Sequence, residues 1–517
     1  MSVPITVAIG RSAIKELDRA IRIEMKFMLA NEVAKSLELQ GHWFVLGHEE
    51  KELAKGMQNF PGIMRFKADE SAKLSIIGCC GDDYLLNHKK VPVITGRCCS
   101  CSSEQGMSNV WVSIFDAWGG SYGDLTCPAI MKSDFAFSEM WIGGSPFCQK
   151  SDVSFNSVSF AINNLEHLLF SNHFHSNWDP ASKKIAIDCT LPKSIVLFED
   201  QDVRVSISFN CEGGSWSLVQ LDAALHEYVR VEIQSLKGCL PYYGRVKSYE
   251  YYIDVISSFL GILVFTRPYV YDVRGIRTEA TEIPKCFYRR WRRSLPRISD
   301  SSRSYVKCLF PIISDGIDYQ NVVKEYFRKY NQIKHDVGTL IEHKLGTQTL
   351  TIKSLADLVF AFEGLSNHLF KTENAQYVEA IRDNQDHKKM RDSILALCND
   401  EQKLWINGRL DINATLAMKL RVAVQKLNGL FPLLSKQSVA SKLVSYYRDS
   451  RNTSAHSLSR ADLNIDFYVS TVEWFVLFIA VLILERMSLD VSIIKNCLKE
   501  WEHALEGLEK TIENGLA

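Results

Sequence analysis

The sequence predicts an α+β multidomain protein in which a β-rich N-terminal region precedes an all-α helical bundle, and three observations carry that reading. Between about Trp43 and Val273 apolar residues come in short runs, several of them alternating with period two, divided by Gly, Asp and Asn turns. From Tyr319 onward they recur at steps of three and four. Between these regions lies Leu295-Pro-Arg-Ile-Ser-Asp-Ser-Ser-Arg-Ser304, polar and Pro-containing, which reads as a linker and sets a boundary near residue 305. The expected domains are therefore 1–304, with 1–180 and 181–304 as candidate subdomains, and 305–517.

A helix is expected near residues 11 to 38. Strands follow at Ile63–Phe66, Leu74–Gly78, Val93–Gly96, Val110–Phe115, Val153–Phe160, Ile195–Phe198 and Val203–Phe209, and a second helix at Tyr251–Gly261. In the C-terminal half, Tyr319, Val323, Tyr326, Tyr330, Ile333, Val337 and Leu340 form one helical stripe, and Leu355, Leu358, Phe362, Leu365 and Leu369 form another. Ile494, Leu498, Trp501, Leu505, Leu508 and Ile512 repeat the pattern, with apolar helical stretches at 411–430, 437–450 and 464–487. Stripes of this kind are bundle core, packed antiparallel.

Composition narrows the function classes. With 46% hydrophobic and 23% charged residues, the 517-residue chain is that of a globular protein, not a disordered one. Lys plus Arg equals Asp plus Glu at 60 each, so any nucleic-acid contact must come from a local patch. The first residues lack a basic leader, and the longest apolar run, Trp474 to Leu484, is about half a membrane span. A cytoplasmic protein with no membrane partner is expected. The 14 cysteines are scattered, which favours reduced thiols over a disulfide framework. Cys79, Cys80, Cys98, Cys99 and Cys101 could supply zinc thiolates, but they lack C-x-x-C spacing and sit in strand-like surroundings, so buried or edge-strand cysteines are the favoured reading, with no metal and no cofactor expected. The run Arg289-Arg290-Trp291-Arg292-Arg293 mixes cations and an aromatic as nucleic-acid surfaces do, but reads better as a basic linker face with Trp291 turned inward.

The candidate chemistry lies in Tyr446-Tyr-Arg-Asp-Ser-Arg451-Asn-Thr-Ser-Ala-His456, an R-N-x-x-x-H signature. An imidazole, as at His456, can move protons near neutral pH, and a guanidinium, as at Arg451, can grip two phosphate oxygens. RNA carries its own nucleophile, the 2′-hydroxyl. Its cleavage then needs a base, an acid and a cation for the phosphorane charge, and no metal. Asn452 would orient the imidazole or cap the next helix. At about 100° per residue, positions five apart on one helix point roughly 140° from each other, so Arg451 and His456 converge only if the helix breaks near Asn452–Ser454 or two chains share a cleft. The bland alternative is a surface cation and a capping or core histidine.

The segment Ser445–His456, followed by an aromatic-rich apolar helix, resembles the R-N-x-x-x-H motif of HEPN domains, which are α-helical and commonly act as dimeric, metal-independent endoribonucleases. The first half resembles ApeA-like bacterial anti-phage proteins in Gly41–Gly47, Phe60–Phe66 running to Leu74–Gly78, Val93–Gly96, Val110–Asp116, Phe137–Gly144 and Phe155–Leu165. The resemblance implies an abortive-infection effector: an N-terminal sensor for a phage-derived trigger protein, and a homodimeric nuclease that cuts cellular RNA, tRNA foremost. It carries over Arg451, Asn452 and His456 as catalytic residues, with Glu363 as a candidate acidic neighbour from an early helix. The Cys- and Ser-rich stretch Cys98–Ser108 departs from the family's usual turn. A non-catalytic RNA- or protein-binding scaffold, dimerising through its bundle, is the competing reading; a carbohydrate- or peptide-binding β module with a helical tail is a third.

Overall fold

The computed structural model describes residues 36–46, 60–67, 72–77, 89–100, 110–123, 131–162, 165, 174–179, 184–189, 193–213, 225–263, 268–278, 285–291, 319–343, 353–403, 414–453 and 464–516, and every structural statement concerns these residues. The fold is α+β, strand-rich in its N-terminal region and helical in its C-terminal region. The chain forms two compact units, one of residues 1–166, 171–254 and 269–304, the other of residues 167–170, 255–268 and 305–517.

The first unit is built on one antiparallel sheet of 13 strands. Its opening part comprises β1 (Ser36–Leu46), β2 (Phe60–Lys67), β3 (Ala72–Ile77), β4 (Lys89–Ser100), β5 (Val110–Gly123) and β6 (Met131–Phe137). These run in the order β5-β4-β1-β2-β3-β6, and β6 pairs back with β5, so the six close into a barrel that leaves no free edge within the ring. β5 makes this possible by serving two neighbours. Trp118–Gly123 pairs with β6, while Trp111–Ile114 pairs with β7 (Glu139–Gly143). The β4–β5 ladder skips the step at Pro92 and Asp116: Pro92 has no N–H to donate, and Asp116 takes φ 54°.

The barrel interior holds alternate residues of each strand, among them Leu39, Trp43, Met64, Leu74, Ile94, Ile114 and Phe135, all buried. Cys98 belongs to this core, as a buried strand cysteine. Cys79, Cys80 and Cys101, with the side chain of Cys99, lie outside the described residues. The expected Cys- and Ser-rich loop begins later than the sequence suggested, because Cys98 to Ser100 are still paired with β1.

Beyond β7 the sheet continues through β17 (Lys285–Trp291), β16 (Val270–Arg277), β9 (Ser157–Ile162), β14 (Leu225–Ser235), β13 (Val203–Gly213) and β12 (Ile195–Glu199). Strands from both sides of residue 180 thus share one sheet. Two short pairs complete the unit, β10 (Phe174–Asp179) with β11 (Lys184–Cys189) and β8 (Ser154–Phe155) with β15 (Leu240–Pro241). Trp141, Phe147, Phe155, Tyr242 and Phe287 form a second, aromatic core, with ring centroids 4.8–6.3 Å apart.

Two expectations are corrected here. Ser36, Leu37 and Glu38 are strand, not the end of a helix; the rest of that expected helix lies outside the described residues. Arg289 is not on a linker face. It occupies a central strand, where its guanidinium donates to Glu139 Oε1 (2.6 Å) and the Tyr242 hydroxyl (2.7 Å) and stacks over the Tyr242 ring. Arginine's fork satisfies both acceptors at once, which is how a cation is tolerated among aromatics. The side chains of Arg290 and Trp291, and all of Arg292 and Arg293, lie outside the described residues.

The helices are α1 (Tyr249–Leu263), α2 (Tyr319–His343), α3 (Ser354–Leu369), α4 (Lys371–Asp383), α5 (Gln385–Ala396), α6 (Leu416–Leu427), α7 (Pro432–Ser435), α8 (Gln437–Thr453), α9 (Ile465–Arg486), α10 (Val491–Glu500) and α11 (Glu502–Leu516). The stripes of α2 and α3 are buried as their spacing predicts, except Tyr330, which is half-buried. The last stripe is split: the chain bends at Trp501, so Ile494 and Leu498 belong to one helix and Leu505 and Ile512 to the next. α4 buries only Asn374 and Val378 and α5 buries no residue, and the sequence reading passed over both.

α9 is the axis of this unit. It is the one described helix long and apolar enough to cross a membrane, at a mean hydropathy of 2.2, yet 78% of that apolar stretch is buried within the structure. A helix apolar all round is what a bundle centre requires. Asn464 caps it, accepting from Phe467 N. Glu509 of α11 ties three helices together: Oε1 accepts from Trp474 Nε1 (3.2 Å) of α9 and Oε2 from the Leu433 backbone N–H (3.0 Å) of α7, and burial pushes its carboxyl above the ordinary range.

Candidate functional site

Arg451 sits in the last described turn of α8, and its position is set one turn earlier. Tyr447, four residues before it, is fully buried, stacks on Phe475 of α9 at 4.1 Å and donates its hydroxyl to the Thr471 carbonyl. Beside it Tyr446 packs edge-on against Phe467, and burial pushes its phenol up to about 12. Two aromatic anchors thus hold the helix while Arg451 emerges half-exposed.

Its guanidinium meets α3. Arg451 Nη2 lies 3.1 Å from Glu363 Oε2, and the guanidinium carbon is 5.0 Å from the Phe360 ring centroid. Phe360 and Glu363 are three residues apart, so they share the face of α3 beside its buried stripe. The second oxygen of Glu363 is also engaged: Lys419 Nζ of α6 donates to Oε1 at 3.1 Å. One carboxylate therefore holds two cations from two other helices. The side chains of Lys419, Glu363 and Arg451 are 9%, 22% and 35% exposed, a gradient running outward from the bundle to Arg451. Arg451 keeps the solvent access that a phosphate ligand needs.

The rest of the signature is only partly placed. The backbone is helical at Asn452 and Thr453, where the sequence suggested a break; poor helix formers are tolerated in a last turn already anchored by packing. The side chain of Asn452, with Ser454 and His456, lies outside the described residues. Arg448 does not join the site's charge, because it pairs with the adjacent Asp449 at 2.8 Å on the exposed side of α8. The structure thus brings Glu363 to Arg451, and adds Lys419 and Phe360, which sequence reasoning missed. Lys419 had a detectable signal: a lysine between Leu416, Leu420 and Ala423, on the face that α6 buries. Among the described residues no cluster of metal-ligating side chains is present.

The family model described as ApeA N-terminal domain 1 matches residues 38–326, more than half of the chain and all of the barrel and sheet but the first two residues of β1. The chain belongs to the ApeA family. Membership supports a role in anti-phage defence for this ApeA-family chain. The match ends within α2, before the helices that carry Glu363, Lys419 and Arg451. No curated protein and no solved structure matches the chain.

Proposed function

We propose that this ApeA-family protein is a cytoplasmic anti-phage effector, a metal-independent endoribonuclease of the HEPN type that cleaves cellular RNA, with tRNA as the favoured target. The observation that carries the reading is Arg451, anchored by Tyr447 and oriented by Glu363 yet still open to solvent, five residues before His456. His456 removes the 2′-hydroxyl proton; the 2′-oxygen attacks phosphorus; the bond to the 5′-oxygen breaks and that oxygen takes a proton. The products are a 2′,3′-cyclic phosphate and a 5′-hydroxyl. Arg451 neutralises the charge gathering on the phosphorane oxygens, and Asn452 holds the imidazole. Two protomers joined across the signature would bring two imidazoles and two guanidiniums to one cleft, so that one His456 serves as base and the other as acid. The N-terminal region senses a phage-derived trigger protein.

The ion pair of Arg451 with Glu363 also favours a second reading, in which the cation is structural and the protein is a dimeric RNA- or protein-binding scaffold. One experiment separates the two. After activation, wild-type protein yields RNA fragments ending in cyclic phosphate, and His456→Ala yields none while keeping its fold and dimeric sedimentation. Cleavage unchanged in His456→Ala, or fragments ending in a 3′-hydroxyl, overturns the mechanism.

A further inference from the structure

α3 carries one large apolar side chain that its core does not use. Leu355, Leu358, Val359, Phe362 and Leu365 are at most 1% exposed, whereas Phe360 in their midst is 50% exposed. Single apolar residues scattered over a surface are ordinary. Two observations set Phe360 apart from them. It is the one aromatic among the exposed large hydrophobic residues described in the helical unit, where the others are Met390, Ile394, Leu397, Ile465 and Val491. It also stands at the candidate site, with the Arg451 guanidinium carbon 5.0 Å from its ring centroid.

A purely structural duty for the ring would be to hold Arg451. Glu363 already does so, with Oε2 at 3.1 Å from Arg451 Nη2, and a cation on the face of an exposed ring adds little beyond that. Half of the phenylalanine still faces water, so much of the stabilisation that a buried ring supplies is unrealised in the free protein. A flat apolar partner laid on the ring recovers it. The two side chains adjoin and each keeps solvent access, so a cationic and an aromatic surface lie open next to each other.

We infer that Phe360 is a stacking platform for a nucleobase, the base belonging to a nucleotide whose phosphate meets Arg451. In RNA a base and its phosphate are joined through one sugar, so a single nucleotide engages both groups only where a cation and an open ring are neighbours, as they are here. Every base has a π face, so such a platform accepts any sequence, but the base must be unpaired and drawn out of its own stack. The inference rests on the ribonuclease reading for its RNA, while stacking is measured by binding, apart from cleavage.

The test uses the full chain carrying His456→Ala, so that RNA survives titration, alone and with Phe360→Leu, Phe360→Trp or Arg451→Met. Phe360→Leu keeps an apolar side chain at an exposed position and removes the π face; Phe360→Trp restores one. Affinity for a mixed-sequence single-stranded 12-nucleotide RNA, and for the same sequence as a duplex, is measured by fluorescence anisotropy over a range of salt, with sedimentation of each variant. Phe360→Leu is expected to weaken single-strand binding at least about fivefold, the scale of one stacked base, and to leave duplex binding and the slope of log affinity against log salt unchanged. Phe360→Trp should bind as the parent does or more tightly. Arg451→Met should lower the slope as well as the affinity, by about 0.7 for one lost phosphate contact on a single strand. Single-strand affinity unchanged in Phe360→Leu, or lost equally in Phe360→Trp, overturns the inference, as does a parent that binds no RNA. A lowered salt slope in Phe360→Leu means that the ring acts only through Arg451, and a fall in dimer that accounts for the lost affinity assigns it to a contact between copies; either overturns the platform. Aromatic-dependent binding in a protein whose wild type never cleaves RNA would sink the nuclease reading and leave the platform standing.

Discussion

Glu363→Ala tests how far the Arg451 centre is functional and how far it is scaffold. The carboxylate serves a buried cation and a half-exposed one, each at 3.1 Å. Removing one partner of a buried pair costs about 3–5 kcal/mol, because the other charge is stranded. Glu363 is itself 22% exposed and water can partly replace it, so the Lys419 arm is worth roughly 2–3 kcal/mol here. The Arg451 arm is worth at most about 1 kcal/mol, the scale of a solvent-accessible pair. Stability is therefore dominated by Lys419, and the contact with Arg451 acts mainly on orientation. Urea unfolding of the helical unit, followed by far-ultraviolet circular dichroism, should show Glu363→Ala destabilised by about 2–3 kcal/mol. Adding Lys419→Met removes the stranded charge and should recover most of that loss. RNA cleavage should not return with it, whereas Lys419→Met alone, which leaves Glu363 on Arg451, should keep substantial cleavage. Recovery of cleavage together with stability in Glu363→Ala/Lys419→Met would refute the positioning role. An unchanged unfolding midpoint in Glu363→Ala would refute the network.

Two further changes probe the scaffold. Glu509→Ala orphans the Trp474 and Leu433 donors and should cost about 2–5 kcal/mol by urea unfolding. Since the folded carboxyl titrates above its unfolded value, the native state binds the extra proton, and the stability that protonation supplies is complete below the ordinary glutamate range and lost as pH rises through the elevated pKa. The gap between wild type and Glu509→Ala should therefore narrow from acid toward neutral pH; a gap that widens is the wrong sign for this account. In the barrel, a Cβ at Gly96 would lie 2.4 Å from the Trp43 ring, itself buried on all sides, so Gly96→Ala should cost about 3 kcal/mol or more and broaden the thermal transition of the first unit in calorimetry. A variant of wild-type stability would mean that the indole has room to move.

Local pattern made much of the fold legible. Val203–Phe209 alternates because one face of β13 is core, and Leu355 to Leu369 steps by three and four because one stripe of α3 is core. The reading failed where the pattern is weak or double. α4 and α5 present mostly polar faces, and Glu502 opens a new helix in the middle of an unbroken apolar stripe. Arg289 looked like linker surface since a charge run carries no mark of its partners, and those partners, Glu139 and Tyr242, lie 150 and 47 residues away.

The sequence by itself determined the order of a β-rich region and a helical one, the stripes that become core, and the Arg451–His456 signature, all properties of short windows whose periodicity follows from backbone geometry. Only the tertiary structure decided that β5 would pair with both β6 and β7, closing a barrel and extending a sheet, and that Glu363, 88 residues before Arg451, would share its carboxylate between that arginine and Lys419. The reason is that pairing partners and charge networks are chosen by what the assembled core brings within reach, and no local repeat encodes distances across the chain.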